Sequence, residues 1–253
     1  SFVGAKMRKL SSEADEKMDG EQGAKYVVKN TAWGAAFLVI FGLTVGSTIP
    51  WLWLMSIDPH WYSTMYSWYT FISSFVAGMA LVVLFVVYLK NGDYLEYVTE
   101  DHLHDLGKFI FGFSVFWTYV WFAQFLLIYY ANMPEETVYF YKRFEYYKFW
   151  FFLNLAMNFL APVLLLMDRD NKRTDAKLLF VSIVVLLGHW VDYYQMIMPG
   201  AVEDGHNGFG IVEIGIALGF VGLFTFTVLS SLSKKPLIAK NHPLLQESLH
   251  HQL

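Results

Sequence analysis

An all-α, polytopic membrane helix bundle is the fold class this sequence predicts, and three observations predict it. Apolar residues make up 56% of the 253, above the roughly 45–50% of soluble domains. They gather in six runs, each near the roughly 20 residues that cross a bilayer core. Lysine and arginine fall mainly on alternate connections between those runs. Backbone groups in hydrocarbon must be bonded within their own segment, so each run is read as a helix. Six transmembrane helices follow.

Taken in order, residues 1–30 are charged and have no apolar core of signal-peptide length, so they read as a polar cytoplasmic connection. Ser1 stands where a start methionine would, and the expectation is that the chain begins mid-protein. The spans are expected at 31–56, 64–89, 106–131, 148–167, 177–198 and 209–232, together forming one transmembrane domain over 31–232. Residues 233–253 form a cytoplasmic tail. Pro50 and Pro162 each remove a backbone donor, and kinks are expected there. Short connections favour antiparallel neighbours packed as a bundle.

Direction comes from the cations. Fifteen lysines and arginines, from Lys6 through Lys90, Lys108, Arg169 and Lys172 to Lys240, fall on one face, and only Lys142, Arg143 and Lys148 on the other. This positive-inside bias places both ends in the cytoplasm. The connections containing DPHW, NMPEE and PGAVEDGHNG then face the periplasm. A net charge of -4, with cations near the membrane surfaces, speaks against a nucleic-acid partner.

Ionisable groups deep in a span cost a few kcal/mol by insertion scales and normally face protein or a wet cavity. His189 and Asp192 stand in the fifth run, LLGHWVDYYQMIMPG, with Gln195 a turn beyond. Asp192 and Tyr193 follow His189 by three and four residues, so the three share one helical face. An imidazole that exchanges protons near neutral pH beside a carboxylate fits a proton relay or a hydrogen-bonding contact to a quinone. The same pair also fits a satisfied structural pin, and a metal ligand is a third reading. Glu213, a turn inside the sixth span, extends that path or is an interfacial acid. Asn154 and Asn158, at i,i+4 in the fourth span, support the path or hydrogen-bond between helices. Lys108 snorkels at the cytoplasmic mouth of the third span, beside the H-x-H-D group His102, His104 and Asp105, which is read as the start of a helix or a metal site.

Other chemistries lack their residues. With no cysteine, the chain holds no iron–sulfur cluster or thiolate zinc site. His189 is the one histidine well inside a span, so the chain alone does not supply a bis-histidine haem. No phosphate-binding glycine loop, nucleophile elbow or H-E-x-x-H motif occurs. No metal ligand set is assigned and no cofactor is expected on this chain alone.

The stretches SIDPHWYSTMYSWY, FVAGMALVVL, GDYLEYVTEDHLHDLGKFIFGFSVFWTYVWFAQFLLIYYANMPEE, GHWVDYYQMIMPG and KKPLIAKNHPLLQES resemble the second NrfD-like membrane subunit of bacterial alternative complex III. The resemblance runs from about residue 31 onward. That assembly is a quinol:cytochrome c or other acceptor oxidoreductase. The resemblance implies a fold related to the polysulfide reductase membrane subunit, with this chain as its C-terminal six helices of about ten. It implies a bacterial inner-membrane location, menaquinol or another quinol as substrate of the complex, and haems and iron–sulfur clusters in partner subunits. Those partners are a multihaem cytochrome c and an iron–sulfur protein on the periplasmic side and a paralogous NrfD-like membrane subunit, the better candidate for the quinol site. The subunit resembling this chain supports assembly and a proton path, which the resemblance would run through His189, Asp192 and Tyr193, with Glu213 and Lys108 as additions. A transporter with a mid-membrane His/Asp site and a purely structural bundle are the competing readings, and no inverted repeat favours the transporter.

Overall fold

The structure, a computed structural model, describes residues 2–16, 20–202, 210–234, 236–238 and 241–250. Lys17, Lys235, Lys240, Phe209 and most of the PGAVEDGHNG connection lie outside the described residues. Among the described residues there is no strand, and six helical segments are long and apolar enough to cross a membrane. They run over Gly23–Ile57, Met65–Asn91, Glu100–Ala131, Lys148–Leu166, Asp175–Ala201 and Ile211–Leu232. The chain is an integral, multi-pass membrane protein.

It divides into two compact units. The first comprises residues 1–39 and 208–252. It contains α1 (Phe2–Glu16), the first part of α2 (Gly20–Leu43), α10 (Ile211–Leu232) and α11 (Leu245–Leu249). Phe2 meets Trp33 edge-on with ring centroids 6.0 Å apart, and Tyr26 meets His242 at 5.6 Å. The sixth span, α10, has no buried residue.

The second unit, whose described residues are 40–202, holds the other spans. These are α3 (Met65–Asn91), α4 (Glu100–Ala131), α6 (Lys148–Leu155) continued by α7 (Ala161–Leu166), and α9 (Asp175–Ala201). Two short helices join them, α5 (Pro134–Glu145) and α8 (Arg169–Arg173). Part of the core is an aliphatic seam: Val76, Ala80, Val83 and Val87 on α3 cluster with Leu103 and Ile110 on α4 and Leu178, Val181 and Val185 on α9. Each set recurs at three-, four- or seven-residue spacing, which is one helical face. Within this unit α9 packs against α3 through α8, and Ser182, His189, Asp192 and Gln195 on it are buried.

Both proline expectations resolve into local widening. After α2 the chain continues through wide π turns at Thr44–Thr48 and Pro50–Leu54. Another wide turn, Ala156–Leu160, separates α6 from α7 just before Pro162. A proline without N–H leaves a carbonyl unbonded, and a wider turn re-spaces the ladder around it.

Several boundaries differ from the sequence reading. The third span starts at Glu100 rather than near 106, because Thr99 caps it: Thr99 Oγ1 lies 2.8 Å from His102 Nδ1, which also accepts from the Thr99 N–H at 3.2 Å. His102, His104 and Asp105 are therefore the opening turns of a helix, and among the described residues no group of three His, Cys, Asp or Glu could hold a metal. The NMPEE connection is largely helix α5. Asn132 ends α4 at φ 48, Pro134 starts α5, and Glu135, Glu136, Lys142 and Arg143 place opposite charges at its two ends as the helix dipole favours.

One end of this unit is rich in paired cations. Lys90 bonds Asp175 at 2.9 Å, Lys108 pairs with Asp105 at 2.6 Å, and Arg173 pairs with Asp101. Lys172 turns inward and donates to the carbonyls of Leu166, Met167 and Asp168, closing the end of α7. Burial pushes its ammonium below the ordinary lysine value, against the opposing pull of Asp168. The other end carries Trp61 stacked on Tyr139 at 4.0 Å, with Arg143 beneath that tyrosine.

Candidate functional site

The site is built where α3, α4, α6 and α9 approach one another. Asp192 on α9 is fully buried, at 0% exposure, and four donors from the other three helices converge on it. Oδ1 accepts from the Tyr69 hydroxyl and from Asn154 Nδ2 at 2.7 Å. Oδ2 accepts from Ser73 Oγ at 2.7 Å and Trp117 Nε1 at 3.1 Å. Local sequence explains each position. Tyr69 and Ser73 are i,i+4 on α3, directly above Val76 and Ala80 on the same inward stripe, and Trp117 continues the α4 stripe of Leu103 and Ile110.

His189, 1% exposed, lies one turn before Asp192. Its Nδ1 is 3.7 Å from Asp192 Oδ2, too long for a direct hydrogen bond. Ser73 bridges the gap, with Oγ 2.9 Å from His189 Nδ1. Trp117 stands edge-on to the imidazole at 5.8 Å and thus fixes its plane as well as bonding the carboxylate. His189 Nε2 has no hydrogen-bond partner among the described residues.

Behind Asn154 the polar chain continues. Asn158 Nδ2 donates to Asn154 Oδ1 at 2.6 Å, so both amides point their donors toward Asp192. Gly188 makes room for this arrangement, since a Cβ there would collide with Asn158 Oδ1 and come within 2.8 Å of Met157 Cβ. Asn158 is itself completely buried.

Arg143 lies toward the opposite end from the paired lysines and is 4% exposed. It donates to three backbone carbonyls, Gln195 at 3.1 Å, Tyr139 at 2.7 Å and Met196 at 3.4 Å. Its Cζ sits 3.3 Å from the Tyr139 ring centroid, a cation–π contact. A small cavity of about 10 Å³ separates Arg143 from Tyr69 and Asn154, with Gln124 and Gln195 on its wall.

Of the residues singled out from sequence, the structure brings His189, Asp192, Asn154 and Asn158 together. Tyr193 is adjacent but turned away from Asp192: its hydroxyl contacts Ser74 Oγ and the Thr70 carbonyl at 3.3 Å. Glu213 belongs to the other unit, where its carboxylate accepts from the Gly210 N–H at 2.8 Å and caps its own helix. Lys108 is half-exposed and paired with Asp105 at the cation-rich end. Sequence reasoning missed Tyr69, Ser73, Trp117, Gln124 and Arg143 as parts of the site. A signal existed for α3, where Tyr66, Tyr69, Thr70 and Ser73 share a face of an otherwise apolar span. None existed for Arg143, which reads as an ordinary interfacial cation.

Comparison with known proteins returns no matching family model and no matching curated protein. The site's chemistry therefore rests on its geometry.

Proposed function

We propose that this membrane protein moves protons through its interior, as a subunit of a quinol-oxidising respiratory complex of the alternative complex III kind. The observation that carries the proton reading is Ser73, whose one hydroxyl touches both His189 Nδ1 and Asp192 Oδ2. A hydroxyl can accept and donate at once, and its direction can reverse. A proton reaching His189 Nε2 makes an imidazolium. The Nδ1 proton then passes to Ser73 Oγ as the Ser73 proton passes to Asp192 Oδ2. The net result is one proton taken up at Nε2 and one delivered to the carboxylate, with His189 neutral again, now carrying its proton on Nε2, and no heavy atom displaced.

Membership of the respiratory complex is supported by the long sequence resemblance described above. On that reading the chain binds no redox cofactor of its own. It sits in the bacterial inner membrane beside a paralogous membrane subunit and the haem and iron–sulfur partners, and contributes assembly and a proton path.

A structural reading has its own support, because the four bonds to Asp192 tie four helices together. Ser73→Ala separates the two. It removes the bridge while leaving Tyr69, Trp117 and Asn154 on the carboxylate. The relay reading expects normal assembly with proton release per quinol slowed about a hundredfold. Full proton release from Ser73→Ala in purified complex would rule the relay out, and loss of assembly with normal turnover in the surviving complex would favour the structural tie.

A further inference from the structure

The cavity between Arg143 and the Asp192 cluster is walled by five helices, with Tyr69 of α3, Gln124 of α4, Arg143 of α5, Asn154 of α6 and Gln195 of α9 contributing its polar surface. Its volume of about 10 Å³ matches the space of one water molecule. Two residues of its wall, only 3% and 4% exposed, each carry an atom with no partner among the described residues, the Gln124 amide nitrogen and the Gln195 amide oxygen. One is a donor and the other an acceptor. Arg143 adds a cation whose described bonds all go to neutral carbonyls, so two of its five N–H groups are uncommitted.

We propose that this cavity is a structural water site, and that its water is the step through which a proton on Asp192 leaves toward the Arg143 end of the protein. The water accepts from the Gln124 amide and donates to the Gln195 amide oxygen, which satisfies both orphans with one molecule. The exit role rests on the relay reading; the water site does not. In the exit step a half-turn of the protonated carboxyl carries the proton that Ser73 delivered to Oδ2 round to the position beside Tyr69; the carboxyl then gives it to the Tyr69 oxygen as the Tyr69 hydroxyl proton passes to the water. The hydronium so formed then releases a proton to solvent water at that end. Arg143 repels the hydronium, so the proton does not rest in the cavity. Tyr66 and Tyr139 are within electrostatic reach of both Arg143 and Asp192, and Asp58 acts on Tyr139. His189 and Tyr193 complete the titratable groups around Asp192.

The test uses the protein in lipid nanodiscs, with water and heavy water as probes. A density map fine enough to show ordered water should place one peak within hydrogen-bond distance of Gln124 and Gln195, and Gln124→Leu should remove it. Infrared difference spectra between acid and neutral pH, in which the protonated Asp192 carboxyl band is identified by its loss in Asp192→Asn, should show hydrogen–deuterium exchange of that carboxyl slowed about tenfold or more in Gln124→Leu. Gln124→Met serves the same purpose if the leucine variant does not fold. A dry cavity in the unsubstituted protein, or a halide in it, overturns the water site. Unchanged exchange in the variant overturns the exit role. If Asp192 gives no exchanging carboxyl band at all, the relay falls and the exit role with it, while the density still decides the water site.

Discussion

At Asp192 four hydrogen-bond donors meet one carboxylate, and the consequences of removing each differ by chemistry. Trp117→Phe deletes the N–H and leaves the space of the indole's five-membered ring empty in a fully buried position, so it should lower stability by about 2–4 kcal/mol, read as a fall in Tm in detergent. Gly188→Ala should cost more than a typical surface change. The added methyl has no free space against Asn158 and Met157, and overpacking of this kind costs about 1–3 kcal/mol. A Tm equal to that of the parent protein would mean that the Asn154–Asn158 chain can shift aside. Asp192→Asn retains volume but brings two donors to a place already supplied with four. It should abolish proton exchange at this site even where assembly survives, as measured by proton release in vesicles.

At the scale of elements, the wide turn at Ala156–Leu160 and the cap on α7 decide how the fourth span presents its asparagines. Asn154, near the end of α6, and Asn158, four residues on within the wide turn, both face α9. Lys172 holds the far end by bonding three carbonyls that α7 leaves open. Lys172→Met keeps the stem that packs on Gly107 but removes the ammonium, which lies over the Phe111 ring. It should destabilise the fold by about 1–3 kcal/mol without changing proton exchange at Asp192; thermal unfolding and infrared exchange on the same sample check the two halves. The sequence made the apolar spans legible through run length alone. It did not reveal α5, because NMPEE reads as a polar connection until Pro134 is recognised as a first-turn residue and the following charges as dipole-matched ends.

For the whole molecule, a surface of exposed apolar helices is the dominant physical fact. Val212, Leu218, Phe220 and Phe226 on α10 are all more than half exposed, which is tolerable in hydrocarbon and costly in water. The charge asymmetry of the connections predicts opposite faces for α5 and α8. Since the chain has no cysteine, Glu135→Cys and Asp170→Cys each give a single labelling site. An impermeant thiol reagent should reach the first only from the periplasmic side and the second only from the cytoplasmic side, and labelling of both from one side would overturn the orientation.

The sequence by itself determined that the chain crosses the membrane as α-helices, roughly where it does so, and that His189 and Asp192 share a face deep in the fifth span. Run length, helical period and the cost of charge in lipid are local properties, and they can be read along a line. Only the tertiary structure decided that Ser73 bridges those two groups, that Tyr193 and Glu213 have other partners, and that Arg143 is buried on the wall of an internal cavity. Those facts depend on which side chains of separate helices meet, and a sequence separation of 116 residues between Ser73 and His189 leaves no periodic trace from which the meeting could be read.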